Sequence, residues 1–87
     1  MQDKYIVHIP HKPRKSFKKI PEPWHKRIFI ALKILETNPY IGEKMHADMT
    51  DKNKIVIWPY RIIYHFDKDR SIVEILEIEH RQNTSYK

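Results

Sequence analysis

The alternation of hydrophobic and polar positions is clearest in the second half of the chain, where three segments have the pattern of β-strands. They are KIVIW (54–58), YRIIYHFD (60–67) and SIVEILEIEH (71–80). Each is rich in β-branched or aromatic residues, which is typical of strands. Pro59 separates the first two, and a charged turn at 67–70 separates the last two. Connections this short join antiparallel neighbours, so the pattern predicts a three-stranded antiparallel meander.

A short strand and a basic helix are predicted in the N-terminal part. The run KYIVHI (4–9) is rich in β-branched residues and predicts a strand. The next segment, HKPRKSFKKI (11–20), has Pro13 where a first helical turn tolerates it, and Phe17 and Ile20 as apolar anchors. Its lysine and arginine residues suit contact with RNA, contact with an acidic protein segment, or a plain solvated face.

The segment 21–39 predicts a longer helix, because its apolar residues recur at helical spacing. They form one inward stripe: Trp24, Ile28, Ala31, Leu32 and Leu35. Pro21 and Pro23 suit its first turn, and Pro21 breaks the two helices into a hairpin. The polar segment 39–53 is predicted to be a connection. The order of elements predicts an α+β fold: an N-terminal strand, a helical hairpin packed on one sheet face, and then the three-stranded meander.

Alternation also assigns side chains to the two faces of the strand at 60–67. One face is apolar enough to meet the helices: Tyr60, Ile62, Tyr64 and Phe66. Arg61 therefore lies on the opposite, open face. If the hairpin closes symmetrically about Trp58-Pro59, Val56 lies opposite Arg61. Lys54 then becomes a diagonal neighbour of Arg61 on the same face.

The strand at 71–80 has apolar residues on both alternating sets, as expected of a central strand. Strict alternation places one set on one face: Val73, Ile75, Glu77, Glu79 and Arg81. The other set is Ile72, Leu76, Ile78 and His80.

Composition adds a strongly basic balance to this picture. The 87 residues include 17 lysines and arginines against 11 acids, a net charge of +6. A body this small and basic attracts polyanions, either nucleic acid or an acidic protein. A chain of this length has no room for a second core, so we expect a single domain over 1–87.

Several classes of site and location are disfavoured. Cysteine is absent, which excludes disulfides and thiolate metal sites and fits a reducing cytosol. The single glycine, Gly42, excludes a Gly-rich phosphate loop. His8 and His11 are split by Pro10 and lack paired acids, so no metal or other cofactor is expected. With no signal-peptide pattern and no long apolar run, we expect a soluble cytoplasmic protein without a membrane partner.

In order and spacing, these segments resemble the RelE/ParE superfamily of toxin–antitoxin toxins. The resemblance lies in the strand YRIIY, an acidic turn, an aliphatic strand and then HR near a tyrosine, after a helical hairpin ending LETNPY. It covers nearly the whole chain. It implies a RelE-like, microbial ribonuclease-type fold and a toxin of a type II system. RelE-type members are metal-independent endoribonucleases that cleave mRNA on the ribosome.

The resemblance also implies partners. They are mRNA and ribosomal RNA in the ribosomal A site, and an acidic, RelB-like cognate antitoxin in a hetero-oligomer. Two alternatives stay open: a ParE-like toxin that inhibits gyrase, and a basic RNA-binding domain without catalysis.

The family's functional residues can be matched one by one. Two cations two residues apart precede the Tyr-Arg pair in the family, and Lys52 and Lys54 have that spacing. The strand arginine matches Arg61, the arginine after the last strand matches Arg81, and the C-terminal aromatic residue matches Tyr86. The chain departs from many relatives at Trp58-Pro59, where they have a glycine-containing turn, and at Val56, where they have a cation.

Cleavage by 2′-hydroxyl attack needs a base, stabilisation of charge on phosphorus, and help for the leaving 5′-oxygen. The arginine fork suits phosphate oxygens, so Arg61 is the candidate transition-state stabiliser. Lys54 is the candidate base, since like-charge neighbours favour a neutral lysine. Arg81 would hold the leaving group.

Tyr86 would stack on a base or move a proton. Lys52 is expected to bind RNA, and His80 to bind RNA or to rival Lys54 as the base. The alternative for Arg61 is a structural ion pair with Glu77 or Glu79 across the sheet.

Overall fold

A computed structural model describes residues 4–45 and 52–83 of the chain. The elements in these ranges are β1 (Ile6–His8), α1 (His11–Lys18), α2 (Trp24–Leu35), β2 (Glu43–Lys44), β3 (Asn53–Ile57), β4 (Tyr60–Asp67) and β5 (Ile72–His80), followed by a short 3-10 helix (Arg81–Asn83). The α+β prediction is confirmed, and the predicted strands and helices are found within a few residues of their expected bounds. Neither described helix is long and apolar enough to cross a membrane.

The sheet has five strands in the order β1-β5-β4-β3-β2. The predicted meander β3-β4-β5 is antiparallel throughout. Two features were not predicted: β1 pairs with β5 in parallel, and the two-residue β2 adds an antiparallel edge to β3. The segment taken as a connection thus contributes a short strand.

The core lies between the predicted apolar stripe of α2 and one face of the sheet. Ile28 and Leu35 are fully buried, and the sheet meets them with residues of β4 and β5: Ile62, Tyr64, Val73, Ile75 and Ile78. Complete burial of such a side chain contributes about 1.5–3 kcal/mol, so this layer accounts for much of the stability of so small a domain. The apolar face assigned to β4 is therefore the core face, as predicted.

The helical hairpin is joined by aromatic and polar contacts. The rings of Phe17 and His25 stack with centroids 4.1 Å apart, and His25 Nδ1 donates to the Phe17 carbonyl oxygen at 3.2 Å. Pro21 and Pro23 lie before α2 rather than in its first turn, because the helix begins at Trp24. The break in the hairpin at Pro21 is as predicted.

A β-bulge between β4 and β5 changes which side chains share a face. Ile63 pairs with Glu77, but Tyr64 pairs with Ile75, so Leu76 is an extra residue in β5. Strict alternation in β5 was therefore wrong: Ile78 is on the core face with Ile75, while Glu77 and Glu79 are on the other. We call this other side the outer face, and it is formed by Lys54, Val56, Arg61, Ile63, Glu77 and Glu79.

Gly42 and Tyr64 fasten the segment before β2 to the sheet. The Tyr64 hydroxyl donates to the Pro39 carbonyl oxygen at 2.7 Å and accepts from the Gly42 amide at 3.1 Å. Burial raises the pKa of Tyr64, and the Gly42 amide only partly opposes this effect. The hydroxyl therefore stays protonated and keeps donating to Pro39 at any ordinary pH.

Candidate functional site

The β3–β4 hairpin places two of the candidate residues on one face. Val56 lies opposite Arg61 and Lys54 lies opposite Ile63, so the predicted register is confirmed. Trp58 and Pro59 form the connecting turn, and their peptide bond is cis. Lys54 and Arg61 are thus diagonal neighbours, a relation in which long side chains can reach one another.

Arg61 is engaged across the sheet by an acid of β5. Its Nε donates to Glu79 Oε2 at 2.9 Å, and the side chains are 12% and 17% exposed respectively. The bulge makes this possible, because it turns Glu79 to the outer face directly opposite Arg61. The expectation of an open position was therefore wrong: Arg61 is on the predicted face but is largely buried there. The alternative of an acidic partner is the one found, and a phosphate would have to compete with Glu79.

A second carboxylate lies beside this pair. Glu77 lines a groove of about 410 Å³ between α1 and β5, together with Lys12, Ser16 and Glu79. Glu77 is exposed overall, but the protein around its carboxyl group removes water. This desolvation, with the hydrogen bond and negative charge of Glu79, raises the pKa of Glu77 above its ordinary 4.5, against the opposing charges of Lys12 and Arg61. The outer face therefore holds two acids, Glu77 and Glu79, that interact with each other next to its central arginine.

Glu77→Gln is expected to gain stability relative to the wild type as the pH rises from 4 to 7. A raised pKa means that the folded state binds the proton more tightly than the unfolded state. Wild-type stability therefore falls as the pH rises from 4.5 through the raised pKa, and it stays lower above that range. Glutamine does not titrate and has no such loss. Because Glu77 is exposed, we expect a difference below about 1 kcal/mol in urea denaturation. If the two proteins differed in free energy of unfolding by the same amount at pH 4 and at pH 7, this prediction would be contradicted.

Arg81 and Trp58 meet at the end of the sheet where the β3–β4 turn and the end of β5 come together. The Arg81 backbone amide donates to the Pro59 carbonyl oxygen at 2.8 Å, which joins the 3-10 helix to the turn. The Arg81 guanidinium carbon lies 4.5 Å from the centroid of the Trp58 ring, within cation–π distance. Arg81 is exposed, and Trp58 is 63% exposed. The structure thus brings Arg81 to the end of the hairpin that carries Arg61.

The remaining predicted residues are less closely associated. His80 is half-buried against the edge of the Tyr60 ring, with centroids 5.0 Å apart, and its Nδ1 accepts from the Gln82 amide at 3.0 Å. Since Tyr60 faces the core, His80 is on the opposite side of the sheet from Arg61. Lys52 is partly buried just before β3. Tyr86 lies outside the described residues.

Comparison with protein-family models gives a match over residues 7–84 to the ParE toxin of type II toxin–antitoxin systems. This chain belongs to that toxin family, within the RelE/ParE superfamily. It is therefore a toxin of a type II toxin–antitoxin system.

Solved structures resemble this toxin over most of its length. The RelBE2 toxin–antitoxin complex from Mycobacterium tuberculosis matches with a TM-score of 0.79 and 21% identity, covering 90% of this toxin and 99% of that chain. The isolated E. coli RelE toxin matches with a TM-score of 0.77 and 17% identity, covering 93% of this toxin and 88% of that chain. The archaeal RelE–RelB complex from Pyrococcus horikoshii OT3 matches with a TM-score of 0.72 and 21% identity, covering 93% of this toxin and 99% of that chain. At these identities the likeness establishes the fold. Comparison with curated proteins gave no match.

Two residues of the candidate site were not predicted as functional from the sequence. Glu79 was expected only as one of two possible partners of Arg61, because the bulge that places it opposite Arg61 shows in the sequence only as apolar and acidic residues that share one parity. Trp58 was noted only as a departure from the family's turn. A large aromatic residue next to Pro59 at a hairpin tip has little protein to pack against, which was the available signal for an exposed ring.

Proposed function

We propose that this toxin is a RelE-type endoribonuclease that cleaves mRNA on the ribosome and is held inactive by an acidic antitoxin. The observation that carries the proposal is the arrangement of three cations from three segments. Lys54 and Arg61 share the outer face through the β3–β4 register, and Arg81 is joined to the same hairpin through Pro59. A cluster of this kind suits the extra negative charge of a phosphorane transition state.

In the proposed reaction, the substrate's own 2′-hydroxyl attacks the adjacent phosphorus. Lys54 accepts the 2′-hydroxyl proton, and Arg61 binds the phosphate oxygens as their charge grows. Arg81 stabilises the departing 5′-oxygen through its positive charge, and that oxygen takes up its proton from solvent water. The products are a 2′,3′-cyclic phosphate and a 5′-hydroxyl end. Through the family resemblance, Lys52 is assigned to RNA binding, and Tyr86 to base stacking or proton transfer.

Because Arg61 is paired with Glu79, the substrate has to gain access to the Arg61 guanidinium before cleavage. The substrate phosphate must replace the Glu79 carboxylate on the guanidinium, or bind the guanidinium beside it. The two acids also repel RNA, so binding has to be driven by cations elsewhere, and we assign this role to the basic residues of α1. This requirement is consistent with a nuclease that acts only when the ribosome presents its substrate.

The antitoxin assignment rests on an exposed apolar strip of α2. Phe29, Ile30 and Ile34 are 50%, 48% and 43% exposed, although they are large hydrophobic residues of a regular helix. Cations lie among and beside these residues on the same helix: Lys26, Arg27 and Lys33. Exposed apolar residues interspersed with positive charge fit an amphipathic acidic segment. We therefore assign this strip to the antitoxin.

A second function, inhibition of gyrase, is favoured by two specific observations. The matching family model is that of the ParE toxin. In addition, Arg61 is largely buried in its pair with Glu79, an arrangement that suits a structural residue as well as a catalytic one. This function needs a protein-binding surface and no ribonuclease cluster.

One experiment separates the two functions. The purified toxin is added to a translating extract, new mRNA 5′ ends are mapped, and gyrase supercoiling is assayed in parallel. We expect new 5′-hydroxyl ends within coding regions and no change in supercoiling. We also expect an acidic antitoxin to be encoded beside the toxin and to suppress cleavage. Inhibited supercoiling without new RNA ends would refute the nuclease assignment. Equal cleavage of protein-free RNA would remove the ribosome from the mechanism.

A further inference from the structure

We propose that Trp58 is a stacking platform for one unpaired RNA base, placed beside the candidate cleavage site. The inference deepens the proposed function and rests on it for the identity of the ligand as RNA. Tryptophan is highly buried on average in folded proteins, yet Trp58 is 63% exposed at the tip of the β3–β4 hairpin. Val56, two residues earlier on β3, is 57% exposed. The tip of this hairpin therefore presents a large apolar surface to solvent.

The ring is held rather than loose. The Arg81 guanidinium lies 4.5 Å from its centroid, and the Arg81 amide is fixed by its 2.8 Å hydrogen bond to Pro59. A planar cation against one part of the ring limits its rotation, which lowers the entropy lost when a ligand stacks. The Arg81 guanidinium is also positioned to bind the phosphate next to a base that stacks on Trp58. Ring and guanidinium together offer the two elements with which proteins bind single-stranded nucleic acid, an aromatic face and a positive charge.

The chemistry selects an unpaired base over other ligands. Bases within a duplex stack on each other, whereas an unpaired base has a free face for an aromatic side chain. A simple polyanion has charge but no ring, so it would gain from Arg81 and not from Trp58. The platform would help to choose which nucleotide is positioned next to Arg61.

Tryptophan fluorescence offers a direct test. The chain has two tryptophans, and Trp24→Phe leaves Trp58 as the single reporter. The probe is a single-stranded 2′-O-methyl adenosine oligonucleotide, which cannot be cleaved by 2′-hydroxyl attack, so binding is measured whether or not the toxin is a nuclease. We expect this probe to quench Trp58 fluorescence strongly. Inorganic polyphosphate and the same oligonucleotide with abasic sites should bind with much weaker quenching.

The matching affinity test uses Trp58→Leu in the full-length protein. We expect affinity for the oligonucleotide to fall roughly 5- to 150-fold, the range for losing one aromatic–base stack, with polyphosphate affinity unchanged. Tyr40→Leu is the control, because Tyr40 is similarly exposed at 59% but lies in the segment before β2. It should bind RNA as the wild type does.

Equal RNA affinity of Trp58→Leu and wild type would overturn the platform, and so would equal quenching by polyphosphate and oligonucleotide. A loss confined to binding of the acidic antitoxin would also overturn it, because Trp58 would then serve a protein interface. Stacking without mRNA cleavage in the translating extract would refute the proposed function and leave the platform intact. Cleavage of mRNA without stacking on Trp58 would refute the platform and leave the proposed function intact.

Discussion

Arg61→Ala is expected to lower ribosome-dependent mRNA cleavage by about 10²–10³-fold, the loss typical of removing one preorganised donor to a developing oxyanion. Arg61 is the cation at the centre of the outer face, between Val56 on β3 and Glu79 on β5. Its position is fixed by both neighbouring strands, so a side chain from elsewhere cannot easily take its place. The measurement is the rate of appearance of a mapped 5′ end in the translating extract.

The same substitution is expected to reduce stability, and the two effects must be separated. Removing one partner of a fully buried ion pair costs about 3–5 kcal/mol, and this pair is slightly exposed, so roughly 2–3 kcal/mol is expected for Arg61→Ala. Urea denaturation gives this value directly. Cleavage is then compared at a temperature where both proteins are folded.

Two further variants distinguish a catalytic arginine from a structural one. Glu79→Gln keeps a hydrogen-bond acceptor but removes the charge that competes with phosphate, so cleavage should be retained or increased. Arg61→Lys keeps a charge but loses the planar fork, so it should recover only part of the activity. Wild-type cleavage by folded Arg61→Ala would contradict the catalytic assignment. So would a Glu79→Gln variant that loses cleavage while folded, since the carboxylate would then be essential.

The features that the sequence predicts well all depend on neighbours along the chain. The β4 core face follows from alternation of Tyr60, Ile62, Tyr64 and Phe66 within eight residues, and the α2 stripe follows from helical spacing. The pairing of Lys54 with the strand of Arg61 follows from a two-residue turn. In each case the partner is only a few residues away, so the local pattern carries the information.

The features that it misses depend on distant segments. The parallel pairing of β1 with β5 joins the two ends of the domain, and nothing in either strand alone specifies the partner. The extra residue at Leu76 is visible in the sequence only as a conflict: apolar Val73 and Ile75 share a parity with Glu77 and Glu79. We took that conflict as the mark of a central strand, whereas the bulge resolves it and sends both acids to the outer face.

The candidate site likewise combines features that the local sequence predicts with features that depend on distant segments. Lys54 and Arg61 could be placed together from the hairpin, but the engagement of Arg61 by Glu79 depends on the bulge. The contact between Arg81 and Trp58 depends on how the chain turns after β5, where alternation no longer applies. The role of Tyr86 stays a prediction from the family resemblance, because that residue lies outside the described part of the chain.

Gly42→Ala is expected to lower the free energy of unfolding by about 2–4 kcal/mol, from overpacking and weakened hydrogen bonds together. A Cβ at this position would lie 2.6 Å from the Tyr64 hydroxyl and 2.7 Å from the Lys54 carbonyl oxygen. The hydroxyl cannot withdraw without stretching its bonds to Pro39 and Gly42, and the carbonyl belongs to β3. For a domain of this size the loss corresponds to roughly 10–25 °C in Tm, measurable by circular dichroism.

A double-mutant cycle with Tyr64→Phe tests this cause. Phenylalanine removes the atom that the new Cβ would approach most closely, so the cost of Gly42→Ala should be smaller in the Tyr64→Phe background. The cost of Gly42→Ala should not vanish in the Tyr64→Phe background, because the Lys54 carbonyl oxygen remains in place. Strictly additive costs, or a Gly42→Ala variant as stable as the wild type, would contradict the close-approach explanation. Any relief by movement of β3 would also shift Lys54 relative to Arg61, so mRNA cleavage should fall in Gly42→Ala even at temperatures where the variant is folded.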